Sequence, residues 1–279
     1  MKSIYFRNVA PAIVLASLAL AATPAAAQDA TGSAAALRPY CPTRPSLGAG
    51  ACIVDIGHPM LEMGIGDWQR TEGEGMQTDV FVTGDALLRV ALGGTTEVQV
   101  GWTAVGRERA RDADGMVARR TRIGDVALRL RQNIVHPDGS GFSIAVQPFV
   151  TLPIGREPIG AGTWGGGVTV PMGYEVNDVV QLQLTAELDA TPDEDGRGRH
   201  RFVSAIGGIA LALSDAVSTT VELSAARDRD PDGFSTILLA ALSGGYQVSD
   251  NAQVDAGTAI GLNADSPDVR VFVGFSRRF

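Results

Sequence analysis

Asp268-Val269-Arg270-Val271-Phe272-Val273-Gly274-Phe275-Ser276-Arg277-Arg278-Phe279 alternates apolar and polar almost to its end. Val269, Val271, Val273, Phe275 and Phe279 share one face, and Arg270, Gly274, Ser276 and Arg278 share the other. A period of two is that of a β-strand between two different environments. The pattern recurs upstream. Val98, Val100, Trp102 and Ala104 oppose Glu97, Gln99, Gly101 and Thr103. Val126, Leu128 and Leu130 oppose Asp125, Arg129 and Arg131. Val180, Leu182, Leu184, Ala186 and Leu188 oppose Gln181, Gln183, Thr185, Glu187 and Asp189, and Val254, Ala256, Ile260 and Leu262 oppose Gln253, Asp255 and Gly257. One face is almost free of charge along the whole strand.

Working outward, alternating segments fall at 59–68, 79–92, 96–105, 121–134, 141–153, 165–175, 179–189, 200–213, 217–226, 234–247, 252–262 and 268–279. No helical period competes. Segments of about ten residues suit tilted strands that cross a bilayer. Short connections, as at Gly93-Gly94 and Asn177-Asp178, alternate with longer charged ones at 69–78, 106–120, 154–164, 190–199 and 227–233, with a shorter member at 263–267. Tight turns at one rim and longer loops at the other describe an up-and-down barrel, and an even strand number returns both ends of it to one side.

The N-terminus predicts export. Lys2 and Arg7 precede an apolar run at 10–22, and Ala25-Ala26-Ala27 offers small residues for cleavage after Ala27. The run is shorter than the roughly 20 residues a spanning helix needs. The expected signal peptide, 1–27, holds two of the 23 basic and none of the 31 acidic residues, leaving a charge of −10. That balance argues against nucleic acid as a partner, since phosphate binding needs Lys and Arg. Cys41 and Cys52, the two cysteines, predict a disulfide in an oxidising compartment. It would tie down a Pro- and Gly-rich periplasmic lead-in over 28–57, ahead of a barrel over 58–279.

Alternation alone does not say which face points inward; a soluble lipocalin-like barrel or sandwich would bury the apolar one. Phe279 resembles the terminal aromatic of Gram-negative outer-membrane barrels, which serves as an assembly signal. With the export signal, the alternating connection lengths and the small residues among the inner charges, it favours a lipid-facing apolar surface. The expectation is an all-β, transmembrane antiparallel up-and-down barrel of about 12 strands in the outer membrane. Trp68, Trp102, Trp164, Tyr174 and Tyr246 are candidates for its interfacial aromatics.

Gly124-Asp125-Val126-Ala127-Leu128-Arg129-Leu130 resembles the "GDV-x-L-x-L" strand of outer-membrane transporters associated with the phenol meta-degradation pathway. Leu152-Pro153-Ile154-Gly155 is similar to that family's "LP-x-G" strand end before an outer loop. The resemblance, from about Met60 to Phe279, implies a small channel or transporter, with hydrophobic or aromatic compounds among its solutes. It implies no catalytic residue.

The polar faces predict a charge-lined lumen of Glu62, Asp85, Arg89, Glu97, Gln99, Asp125, Arg129, Arg131, Gln181, Gln183, Glu187, Glu222, Asp255 and Arg270. The function expected is passage of small solutes. The alternative is a plugged structural barrel whose outer loops bind lipopolysaccharide or a partner; the assembly machinery would read Phe279. No cofactor or metal is expected, and no enzyme. His200 is the one histidine near an outer loop, and Ser204 on its face stands four extended residues away, roughly 13 Å, too far for nucleophile activation. Asp228-Arg229-Asp230-Pro231-Asp232-Gly233 matches the opening of a calcium loop, D-x-D-x-D-G, but Leu239 stands where the bidentate Glu is required. Divalent-ion binding by the acidic outer turns is left as an open expectation.

Overall fold

The computed structural model describes residues 36–193, 197–231 and 233–279; the expected signal peptide and its cleavage site lie outside them. Thirteen strand segments follow in chain order: β1 (Met60–Gly73), β2 (Met76–Ala91), β3 (Thr96–Arg111), β4 (Val117–Arg122), β5 (Val126–Val135), β6 (Phe142–Leu152), β7 (Gly165–Glu175), β8 (Val180–Pro192), β9 (Arg199–Ala212), β10 (Val217–Asp230), β11 (Gly233–Ser249), β12 (Ala252–Gly261) and β13 (Val269–Arg278). Each pairs antiparallel with its sequence neighbour, except that β4 and β5 both pair with β3, one on each half of its length. They form one interrupted barrel position, so the segments make twelve. Pairing of β1 with β13 closes the cylinder.

The two faces are inverted relative to a soluble protein. Leu128, Leu130, Leu182, Leu184, Val221, Leu223, Val271 and Val273 are exposed on the outside. The largest fully buried side chains include Arg89, Arg131, Gln99, Glu62 and Glu97. Water would penalise that arrangement, whereas lipid rewards an apolar exterior and a closed barrel leaves no unpaired edge. Aromatics mark the rims. Trp164 lies under Arg199, 4.4 Å from the guanidinium carbon, and Arg277 stands 5.1 Å over the ring of Phe279.

Three connections expected as long outer loops, 69–78, 106–120 and 227–233, are largely strand in their described residues. The 69–78 segment is hairpin except for Glu74 and Gly75, and β10 runs to Asp230, with β11 resuming at Gly233. These extensions were unreadable by alternation because both of their faces are polar. They are held by backbone pairing and by cross-strand charges such as Arg70 with Asp79, 2.8 Å apart. Residues 153–164 remain a long irregular connection.

Candidate functional site

The described part of the lead-in, from residue 36, does not stay beneath the barrel as a separate segment. Residues 43–54 run inside it, because their backbone amides find acceptors on the inner wall. Thr43 and Arg44 donate their N–H groups to the Glu62 carboxylate at 2.9–3.0 Å. Leu47 N–H donates to Glu222 (2.9 Å), Ala49 N–H to the Thr185 hydroxyl (2.9 Å) and Val54 N–H to Glu97 (3.0 Å). A Pro- and Gly-rich strap has no ladder of its own, so the wall supplies the partners its buried backbone needs.

Arg89 anchors this strap. Its guanidinium donates to Glu62, to both oxygens of Glu97, and to the backbone carbonyls of Cys41 (2.8 Å) and Cys52 (3.0 Å). Cys41 and Cys52 are disulfide-bonded, so one buried arginine holds both ends of the cross-linked loop. Arg131 donates to Cys52 O as well and pairs with Glu97 at 3.1 Å. Side-chain exposure along this ladder is 0–1%. Buried charges persist only when paired and hydrogen-bonded throughout, as here.

Further strap contacts reach across the lumen. Arg44 pairs with Asp255 at 2.9 Å and stands over Phe272. It passes Gly274, where a Cβ would lie 2.5 Å from its guanidinium nitrogens and from Met63 O. Ser46 donates to Glu222 at 2.5 Å. Tyr40 donates its hydroxyl to Ser276, and burial pushes its pKa up to about 12.

The strap separates two cavities. One, about 430 Å³, lies towards the outer rim and meets Asp85, Gln99, Asp125, Arg129, Glu187 and Arg270. The other, about 380 Å³, lies towards the short turns and meets Gln181, Gln183, Asp178 and Asp215. Thr43, Arg44, Pro45, Ser46 and Ala49 line both. Among these charges Arg129 is not locked: it feels Glu187 and Asp85 without a direct salt bridge to either. Arg270 is paired, with Asp67.

Asp125 has a further task. Its carboxylate accepts the N–H groups of Gly155 and Ala161, each at 2.7 Å, and thereby ties down the 153–164 loop. The two quoted motifs therefore meet. The Ile123-Gly124-Asp125 break between β4 and β5 receives Gly155, whose absent Cβ would lie 2.6 Å from Ile123 O.

Sequence reasoning missed the strap residues Arg44 and Ser46, and also Asp67 and Phe272. Asp67 turns inward because β1 shifts register between Gly64 and Gly66 against β13. The excess of inward carboxylates was the available signal that an unassigned cation had to enter the lumen. His200, considered above beside Ser204, is instead surrounded by Asp193, Asp228 and Asp230.

Residues 44–279 match the family model described as "Putative MetA-pathway of phenol degradation". The chain belongs to this family. Among solved structures, it is similar to an outer membrane channel from Pseudomonas putida F1, with a TM-score of 0.65 at 12% identity, over 82% of this chain and 98% of that one. It also matches the NanC porin (TM-score 0.49, 8% identity, 80% and 100% covered) and the KdgM porin in complex with disordered oligogalacturonate (0.48, 12%, 77% and 98%). A search of curated proteins finds no match. The fold is that of an outer-membrane β-barrel.

Proposed function

We propose that this protein is an outer-membrane channel for small water-soluble solutes, narrowed from within by its own disulfide-closed strap. The observation that carries the reading is the pair of cavities on the two sides of the strap, one towards each rim, which share its residues Thr43, Arg44, Pro45, Ser46 and Ala49 as lining. Its charged lining favours ionised or hydroxylated solutes over purely apolar ones, since an apolar molecule gains nothing by displacing the water around Arg129 or Glu187. The family's description brings phenol degradation into view, and aromatic compounds bearing polar groups fit that lining. Export with cleavage after Ala27, and assembly guided by the exposed Phe279, belong to the same reading.

The testing experiment is planar-bilayer conductance of the mature protein refolded in detergent, compared with Arg129→Glu. Stepwise currents whose ion preference moves towards cations in the variant support a channel lined by this face. The fully buried Arg89 ladder favours one second reading, a permanently plugged structural barrel that presents its outer rim to lipopolysaccharide or a partner. Protein that is folded by heat-modifiable gel mobility yet electrically silent would select it.

A further inference from the structure

His200 enters β9 on its lumen side near the outer rim, and three carboxylates face its two ring nitrogens. Nδ1 lies 2.9 Å from Asp193 Oδ1 and 3.2 Å from Asp230 Oδ2. Nε2 lies 2.6 Å from Asp228 Oδ1, yet neither of those two buried atoms completes a hydrogen bond. The imidazole is 6% exposed. Of the two arginines that flank it in sequence, Arg199 turns to Thr163 and the face of Trp164 and Arg201 is exposed.

A neutral imidazole has one N–H and one lone pair. With the proton on Nδ1 the ring donates to Asp193 at 2.9 Å and its Nε2 lone pair faces the Asp228 carboxylate; with the proton on Nε2, the Nδ1 lone pair confronts two anionic oxygens. A cation between them removes that repulsion. The spacing suits one: metal bonds of roughly 2.0–2.1 Å place tetrahedral neighbours about 3.3 Å apart, close to the two Nδ1 separations. The candidate ligand atoms of Asp193, His200 and Asp230 all lie within 4.8 Å of one another.

We propose that His200 Nδ1, Asp193 and Asp230 bind a divalent transition-metal ion of the Zn²⁺ type at the outer mouth of the lumen. With the ion on Nδ1 the ring's proton belongs on Nε2, and a small turn of the Asp228 carboxylate, 2.6 Å away, would let it accept from Nε2–H, the usual support for a metal-bound histidine. An imidazole among carboxylates selects zinc-like ions over calcium, which prefers oxygen ligands alone. Three protein ligands leave a fourth position for water or a solute anion. The site does not depend on whether the barrel conducts.

The test is calorimetric titration of ZnCl₂ into the full mature chain, refolded in detergent, stripped with chelator and held near neutral pH. One ion per barrel is expected. His200→Gln and Asp193→Asn should each weaken binding at least a hundredfold, and Asp228→Asn by about 10–100-fold. Calcium should give no comparable binding. Absence of saturable zinc binding overturns the proposal; that is the result if His200 is an imidazolium held by the carboxylates alone. A His200→Gln protein with unchanged affinity, or calcium binding as tightly as zinc, overturns it too. Visible absorption of Co²⁺ in the unmutated protein supplies a readout needing no variant: d–d bands of a nitrogen- and oxygen-ligated ion support the site, and the spectrum of aqueous cobalt sinks it.

Discussion

Arg89 and Arg129 both point into the lumen, from neighbouring regions, and they live differently. Arg89 spends every N–H on Glu62, Glu97 and two cysteine carbonyls, with no exposed side-chain surface. Arg129 is half-buried, borders the outer cavity and has only longer-range attraction to Glu187 and Asp85. The lower lumen uses charge to fasten a strap. The upper lumen leaves Arg129 available to whatever enters, although Arg270 and Asp125 there are engaged by Asp67 and by the 153–164 loop. A charged inner face is therefore not evidence of a pore by itself; the partners of each charge decide its role.

The sharpest way to break this comparison is Arg89→Ala. It takes the shared guanidinium from two buried carboxylates, leaving Glu97 to Arg131 and Glu62 to backbone amides alone, and should cost about 3–5 kcal/mol, read by urea unfolding in detergent with gel mobility as the probe. Equal damage from Arg129→Ala would erase the distinction. Next comes the double substitution Cys41→Ser and Cys52→Ser. Opening a loop of this length removes about 3 kcal/mol of unfolded-state restriction. It should also loosen the strap and enlarge single-channel conductance; unchanged current would show that Arg89 and Glu62 suffice.

Asp125→Asn tests the upper region's own fastening. Weakening two charge-assisted bonds should cost about 1–3 kcal/mol and expose 153–164 to protease while the barrel stays intact. Resistance equal to that of the parent would show that other contacts hold the loop. The smallest effect is expected at Tyr40. Its phenol is raised to about 12 in the fold against about 10 unfolded, so its contribution is complete below pH 10 and fades as pH rises through 12. Tyr40→Phe should flatten that part of the stability–pH curve, and a curve unchanged in shape would count against the burial of the phenol that raises it.

The barrel was legible because lipid and lumen impose opposite demands at a spacing of two residues, and a strand such as β8 records them without interruption, while β13 does so except at the inward Phe272. Bulges interrupted the record: the shift at Gly64/Gly66 brought Asp67 inward where plain alternation does not place it. The hairpin extensions were illegible because above the membrane both faces meet water, so no contrast remains to read. His200 and its carboxylates were each visible as residues, but strand pairing alone put them within reach of one another.

From the sequence by itself came the strand number, the inverted faces, the disulfide and the family, since each depends on local periodicity, on a single possible cysteine pair or on short motifs. Tertiary structure alone decided where the lead-in goes. Arg44 meets Asp255 across 211 residues of chain, and Thr43, Leu47 and Val54 bond through backbone amides that every residue except proline possesses. A segment positioned by its main chain and by distant carboxylates leaves no pattern in its own side chains, so only the closed barrel could show that it belongs inside.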